Sequence, residues 1–106
     1  MSRKSRRYEI LFPTQFNDGR DVPQKLLGEA TIELLAQFDA MSADTQHIQG
    51  SWRHNGTIYR DSLIKYVADV DDTVKNRTWM KEYKRRWKKQ LDQIEIWLIS
   101  ISIRIE

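Results

Sequence analysis

The chain has 106 residues, 40% hydrophobic and 31% charged, with no cysteine and a formal net charge of +3. Roughly two-thirds of the surface of a chain this long can be buried on folding, so one domain over residues 1–106 is expected, stable without a metal or a bridge. The missing thiols exclude disulfides and thiolate chemistry. No apolar run approaches the roughly 20 residues needed to cross a bilayer, and no signal-peptide core follows the basic start, so no membrane association is expected and the cytoplasm is the expected location. Eleven aromatic residues against 2 prolines and 4 glycines point to a packed domain rather than a disordered one.

The charge is segregated along the chain. Residues 1–7 carry Arg3, Lys4, Arg6 and Arg7 and no acid, and residues 1–6 are expected to form a basic, flexible N-terminus. Residues 73–91 carry Lys75, Arg77, Lys81, Lys84, Arg85, Arg86, Lys88 and Lys89 against the single acid Glu82, a local net of +7. Such a field steers anionic partners at low salt but says little about fold.

Taken in order, Tyr8 to Phe12 is rich in strand formers and stops at Pro13, which predicts a strand of about six residues from Arg6. Tyr8, Ile10 and Phe12 share one face of it, and Leu11 takes the other. Asn17-Asp18-Gly19 opens a loop. Leu27, Ala30, Leu34 and Phe38 then recur at helical spacing, with Pro23 suited to the first helical position and an end near Asp39. Residues 40–46 lack periodicity and read as a loop. His47 to Arg53 alternates as a strand, and Asn55-Gly56 is a strong hairpin signal, since both central residues of a type I′ turn need positive φ. The return strand runs from Thr57 or Ile58 to Val70, with a bulge or bend expected at Arg60-Asp61-Ser62.

Asp71, Asp72 and Thr73 supply cap groups for a second helix. Its apolar residues Trp79, Met80, Tyr83, Trp87 and Leu91 fall on one stripe roughly 120° wide, opposite the basic residues, so the three aromatics are expected in the core rather than in a ligand cage. Ile94 to Ile105 is a long strand by composition. Trp97, Ile99, Ile101, Ile103 and Ile105 lie on one face, and Ile96, Leu98, Ser100, Ser102 and Arg104 on the other, outer one.

The order strand, helix, strand, strand, helix, strand is that of the ferredoxin-like βαββαβ plan, an α+β fold with an antiparallel sheet and two helices on one face. Leu11, Ile96 and Leu98 on the second face suggest that it is covered by another copy of the chain, so a homodimer through the open face or a sheet edge is expected.

Several segments together carry a resemblance to a family. They are Asn17-Asp18-Gly19 with Val22-Pro23, Gly50-Ser51-Trp52-Arg53 before an Asn-Gly turn and Tyr59, Lys65-Tyr66-Val67-Ala68-Asp69, and Glu95-Ile96-Trp97 opening the last strand. The chain resembles the DUF3574-like group of small bacterial proteins of domain-of-unknown-function type over most of its length. Many members of that group carry an export signal that is not seen here. The resemblance implies a fold and no catalytic residues.

Three constellations remain as candidate chemistry. Lys81, Lys84, Arg85, Arg86, Lys88 and Lys89 on the second helix, with the N-terminal basic residues, could contact nucleic-acid phosphates without reading sequence. Asp69, Asp71 and Asp72, with Asp18 and Asp21, could hold Mg²⁺ for hydrolysis, although acids also cap helices. His47 and His54, an odd number of residues apart on a strand, should fall on opposite sheet faces. Trp52 and Tyr59 flank the Asn-Gly turn and are expected to pack across the hairpin, in a dimer seam or a small pocket if they face the open side. No catalytic triad, phosphate-cradling glycine loop or metal-binding motif is present, so no catalytic residue and no cofactor is assigned and enzymatic activity is left open. The leading expectation is a non-enzymatic binding or assembly module, with nucleic-acid binding and then metal-dependent hydrolysis as alternatives.

Overall fold

A computed structural model describes residues 3–106, in the order β1 (Arg3–Pro13), α1 (Gln24–Phe38), β2 (Ser42–His54), β3 (Thr57–Asp71), α2 (Val74–Gln90) and β4 (Leu98–Ile105). Met1, Ser2 and the side chain of Arg3, part of the expected basic start, lie outside what is described, as does the side chain of Thr45. The strands form one four-stranded sheet in the order β2-β3-β1-β4, antiparallel at every junction. The class is α+β, with an antiparallel sheet and two helices.

Directly opposed residues on antiparallel strands point to the same side, so register assigns the faces. Tyr8 pairs with Ala68, Ile10 with Tyr66 and Phe12 with Ile64, and these face both helices. The Tyr66 hydroxyl donates to the Leu27 carbonyl of α1 at 3.3 Å, and the Phe12 ring meets Tyr83 and Trp87 of α2 edge-on. The helices are tied to each other where the Tyr83 hydroxyl donates to the Ala30 carbonyl at 2.6 Å. Burial pushes the Tyr83 hydroxyl far above the ordinary phenol range, so it stays a protonated donor. Leu27, Ala30, Leu34, Met80, Tyr83, Trp87 and Leu91 are all buried and form the core, while Phe38 and Trp79 of the expected stripes are half-buried and pack against it.

Helix ends follow local chemistry. Thr73 is the N-cap of α2, its hydroxyl accepting from the Asn76 amide at 3.1 Å. Pro23 sits one place earlier than expected, at the N-cap of α1, and Asp39 closes that helix in the left-handed conformation, φ 62°. Asn55 and Gly56 both have positive φ, 50° and 79°, as a type I′ hairpin turn requires.

Four further expectations are corrected. β1 starts at Arg3 rather than Arg6, because residues 3–7 pair with β4 on one side and residues 5–7 with β3 on the other; the described part of the basic start is strand, not a loose arm. β2 begins at Ser42, so residues 42–46 are strand and not loop, held by the partner residues Val67, Tyr66 and Lys65 on β3. The irregularity expected in β3 lies in β2 instead: Asp44 pairs with Lys65 and Ile48 with Leu63, so residues 45–47 stand opposite Ile64 alone. Ser42–Gln46 carries no apolar alternation, so its strand character comes from the pairing with β3 and not from a pattern of its own.

The fourth correction concerns β4, which starts at Leu98. Leu98 pairs with Ile10 and Ser100 with Tyr8, so these face the helices, while Ile99, Ile101 and Ile103 pair with Glu9, Arg7 and Ser5 on the open side. The face expected to be outer is therefore inner. Ile96 is buried ahead of the strand.

Candidate functional site

The open face has three zones. At its centre Arg7 grips Asp69 with two bonds of 2.8 and 3.0 Å, and Lys65 stands 4.0 Å from Glu9. Toward β2 lie Ile48, Gly50, Trp52 and His54, opposite Leu63, Asp61, Tyr59 and Thr57. Toward β4 runs the isoleucine row, preceded by Trp97; Trp97 is 63% exposed, Ile99 37% and Ile101 45%.

β4 is an edge strand, and its hydrogen-bonding directions follow from one bond. The Leu11 amide donates to the Trp97 carbonyl at 3.0 Å, and that pair continues the β1–β4 register. Backbone groups of successive residues alternate sides, so Ile99, Ile101, Ile103 and Ile105 bond inward to β1. Leu98, Ser100, Ser102 and Arg104 therefore direct their amides and carbonyls away from the sheet. The strand contains no proline or glycine and one charged residue, Arg104, and so has few of the devices that protect sheet edges. The other edge, β2, is interrupted by its irregularity at residues 45–47.

The basic face of α2 is compensated at most of its predicted positions. Lys84 and Lys88 both reach Glu95, at 3.0 and 3.9 Å, and the hydrogen bond from Lys84 holds the Glu95 carboxyl below the usual range. Arg85 pairs with Glu82 on its own helix, and Arg86 pairs with Glu33 of α1 at 3.3 Å. Glu33 also accepts from the Trp87 indole at 3.0 Å. Lys81 and Lys89 are exposed and make no ion pair among the described residues. Arg6 is likewise engaged, donating to Asp72 at 2.9 Å and to Ser100 at 3.1 Å.

The carboxylates proposed for a metal do not converge. Asp69 and Asp71 face the open side by register. Asp72 turns the other way to Arg6 and Arg77, and the bond from Arg6 holds its carboxyl below the usual range. Asp18 pairs with Arg20 and Asp21 accepts from Gln15, in the loop after Pro13; that end of β1 pairs with Leu63, the far end of the sheet from Asp69–Asp72. No group of three or more His, Asp or Glu suited to a metal occurs among the described residues. His47 and His54 fall on opposite faces as expected: His54 pairs with Thr57 on the open side, while His47 contacts Ser62 at 3.1 Å beside the cleft under α1.

Cavities lie on both sides of the sheet. A broad cleft of about 1060 Å³ lies between α1 and the β2–β3 half of the helix-bearing face, reaching Tyr66 and Asp44. A hollow of about 220 Å³ lies on the open face between Trp52 and Trp97. Trp52 stacks on Tyr59 at 4.6 Å across the hairpin, and its indole N–H donates to Asp61 at 2.7 Å. Alternation groups Trp97 with the isoleucines, and its pairing with Leu11 puts that group on the open side. Comparison with protein-family models, with curated proteins and with solved structures finds no match for the chain.

Proposed function

We propose that the protein is a non-enzymatic assembly module of ferredoxin-like plan that forms a homodimer by pairing β4 with β4 of a second copy. The element order and the strand order β2-β3-β1-β4 support that plan, as does the resemblance to DUF3574-like proteins. The observation that carries the reading is the free edge of β4, whose outward amides and carbonyls run beside an exposed isoleucine row. Under a two-fold axis at Ile101, Ser100 of one copy stands opposite Ser102 of the other and the isoleucine rows join, giving an eight-stranded sheet. Stacking of the two open faces is less favourable, because it would desolvate the Arg7–Asp69 and Lys65–Glu9 pairs at their centre.

Ser102→Pro tests this. Its amide points away from β1, so the ring removes an outward donor and leaves the β1–β4 ladder intact. Size exclusion with light scattering should give a dimer for the native chain and a folded monomer for Ser102→Pro, whose melting temperature matches that of the native chain diluted to monomer. A native monomer at millimolar concentration, or a variant that remains dimeric, refutes edge pairing. The same run with a single-stranded oligonucleotide at low salt tests the alternative role of α2: a salt-sensitive complex lost on Lys81→Glu and Lys89→Glu would put nucleic acid first.

A further inference from the structure

We propose that the hollow between Trp52 and Trp97 binds a small aromatic amine, its ring against the indoles and its protonated nitrogen on Asp61. The hollow is walled by Leu11, Pro13, Leu63 and the two tryptophans. Its volume, about 220 Å³, is below the roughly 300 Å³ at which pockets for drug-sized ligands begin, so it suits one ring with a short arm. Gly50 forms part of its wall, and a Cβ there would stand 3.1 Å from Leu63 Cδ1, so a side chain would crowd it.

Trp52 is held in place before any ligand arrives: Tyr59 stacks on its ring and Asp61 fixes its N–H. Trp97, 63% exposed, has no ring partner among the described residues. Ordering these rings therefore costs a ligand little at Trp52, and covering Trp97 removes apolar surface from water.

The charge of the wall selects the ligand. Among the described residues its only ionisable side chains are Asp61 and Glu95, with no lysine, arginine or histidine. Glu95 is occupied by Lys84 and Lys88. Asp61 spends Oδ2 on Trp52, and its Oδ1 has no partner among the described residues. Arg53 and Arg60 of the same hairpin pair with Ile58 and Ser51 and so belong to the opposite face. An uncompensated carboxylate beside two indoles attracts a cation through both the carboxylate and the ring faces, and repels an anion of the same shape. Under the edge pairing proposed above, Ile105 of a second copy stands opposite Trp97 on the side of the ring away from Leu11, whereas the hollow lies on the Leu11 side.

The test is a titration of ¹⁵N-labelled protein with phenethylamine, and in parallel with phenylacetate, following the four tryptophan indole N–H signals; Trp52→Phe and Trp97→Phe assign two of them. Phenethylamine at millimolar concentration should shift the signals of Trp52 and Trp97 saturably and leave those of Trp79 and Trp87 in place, while phenylacetate leaves all four unmoved. Asp61→Asn keeps an acceptor for the Trp52 N–H but removes the charge, and should weaken phenethylamine about tenfold or more. Should that variant unfold, Trp97→Ala, a change at an exposed ring, should weaken binding to a similar degree. No saturable shift, equal response to the two compounds, or undiminished binding by the folded variants overturns the proposal.

Discussion

Replacing Phe12 with alanine probes the point where both helices and the sheet meet. The ring is 0% exposed and touches three others: Tyr66 at 5.0 Å, Tyr83 at 6.1 Å and Trp87 at 5.9 Å between centroids. Truncating a buried phenylalanine costs about 3–5 kcal/mol, and rings in edge contact contribute about 0.5–1.5 kcal/mol per pair beyond burial, so the upper end, about 5 kcal/mol, is expected. Tyr83 and Trp87 are anchored by hydrogen bonds to Ala30 and Glu33 and cannot slide freely into the space. A loss of that size takes up a third or more of the roughly 5–15 kcal/mol a domain has, and lowers the melting temperature by about 20 °C or more. Urea unfolding followed by far-ultraviolet dichroism and tryptophan fluorescence measures it, with the slope on denaturant unchanged. Phe12→Leu, which keeps most of the volume, should lose about 1.5 kcal/mol. A loss under about 2 kcal/mol for the alanine variant would mean that the site collapses and that the three ring contacts do not act as a rigid unit.

Two further outcomes are expected. Asp72 has a carboxyl held below its ordinary value by Arg6, so its contribution is present above the unfolded-state value near about 3.9 and fades as pH falls through the lower folded-state value; melting curves of Asp72→Asn should lie below native at pH 7 and converge with it in acid, and a gap independent of pH counts against the pair. Gly56→Ala introduces no clash, since nothing lies within 4 Å of a Cβ there, but its φ of 79° remains; a loss of about 1 kcal/mol in thermal unfolding is expected from backbone strain alone, and a neutral result rejects the I′ geometry.

What was legible in the sequence is what neighbours along the chain decide. The stripe Trp79, Met80, Tyr83, Trp87 and Leu91 reports helical periodicity whatever packs on it. Asn55-Gly56 reports its turn because positive φ is a property of those two residues. Thr73 caps α2 through an amide three places on. The class α+β, the order of six elements and both helical core faces follow from such local signals. What the tertiary structure decided was register. Ser42–Gln46 has no strand pattern of its own and becomes strand because β3 is long enough to pair with it. The last strand is apolar on both sides, with Ile96 and Leu98 on one and the isoleucines on the other, so alternation alone could not say which side meets the helices; pairing of Leu98 with Ile10 and Ser100 with Tyr8 did. The charges behaved likewise: the excess on α2 is plain in sequence, whereas its neutralisation by Glu33 and Glu95 needed α1 and the segment before β4 to come alongside. Period is a property of a segment, while register and ion pairing are properties of two segments at once, and only the folded chain brings the second one within reach.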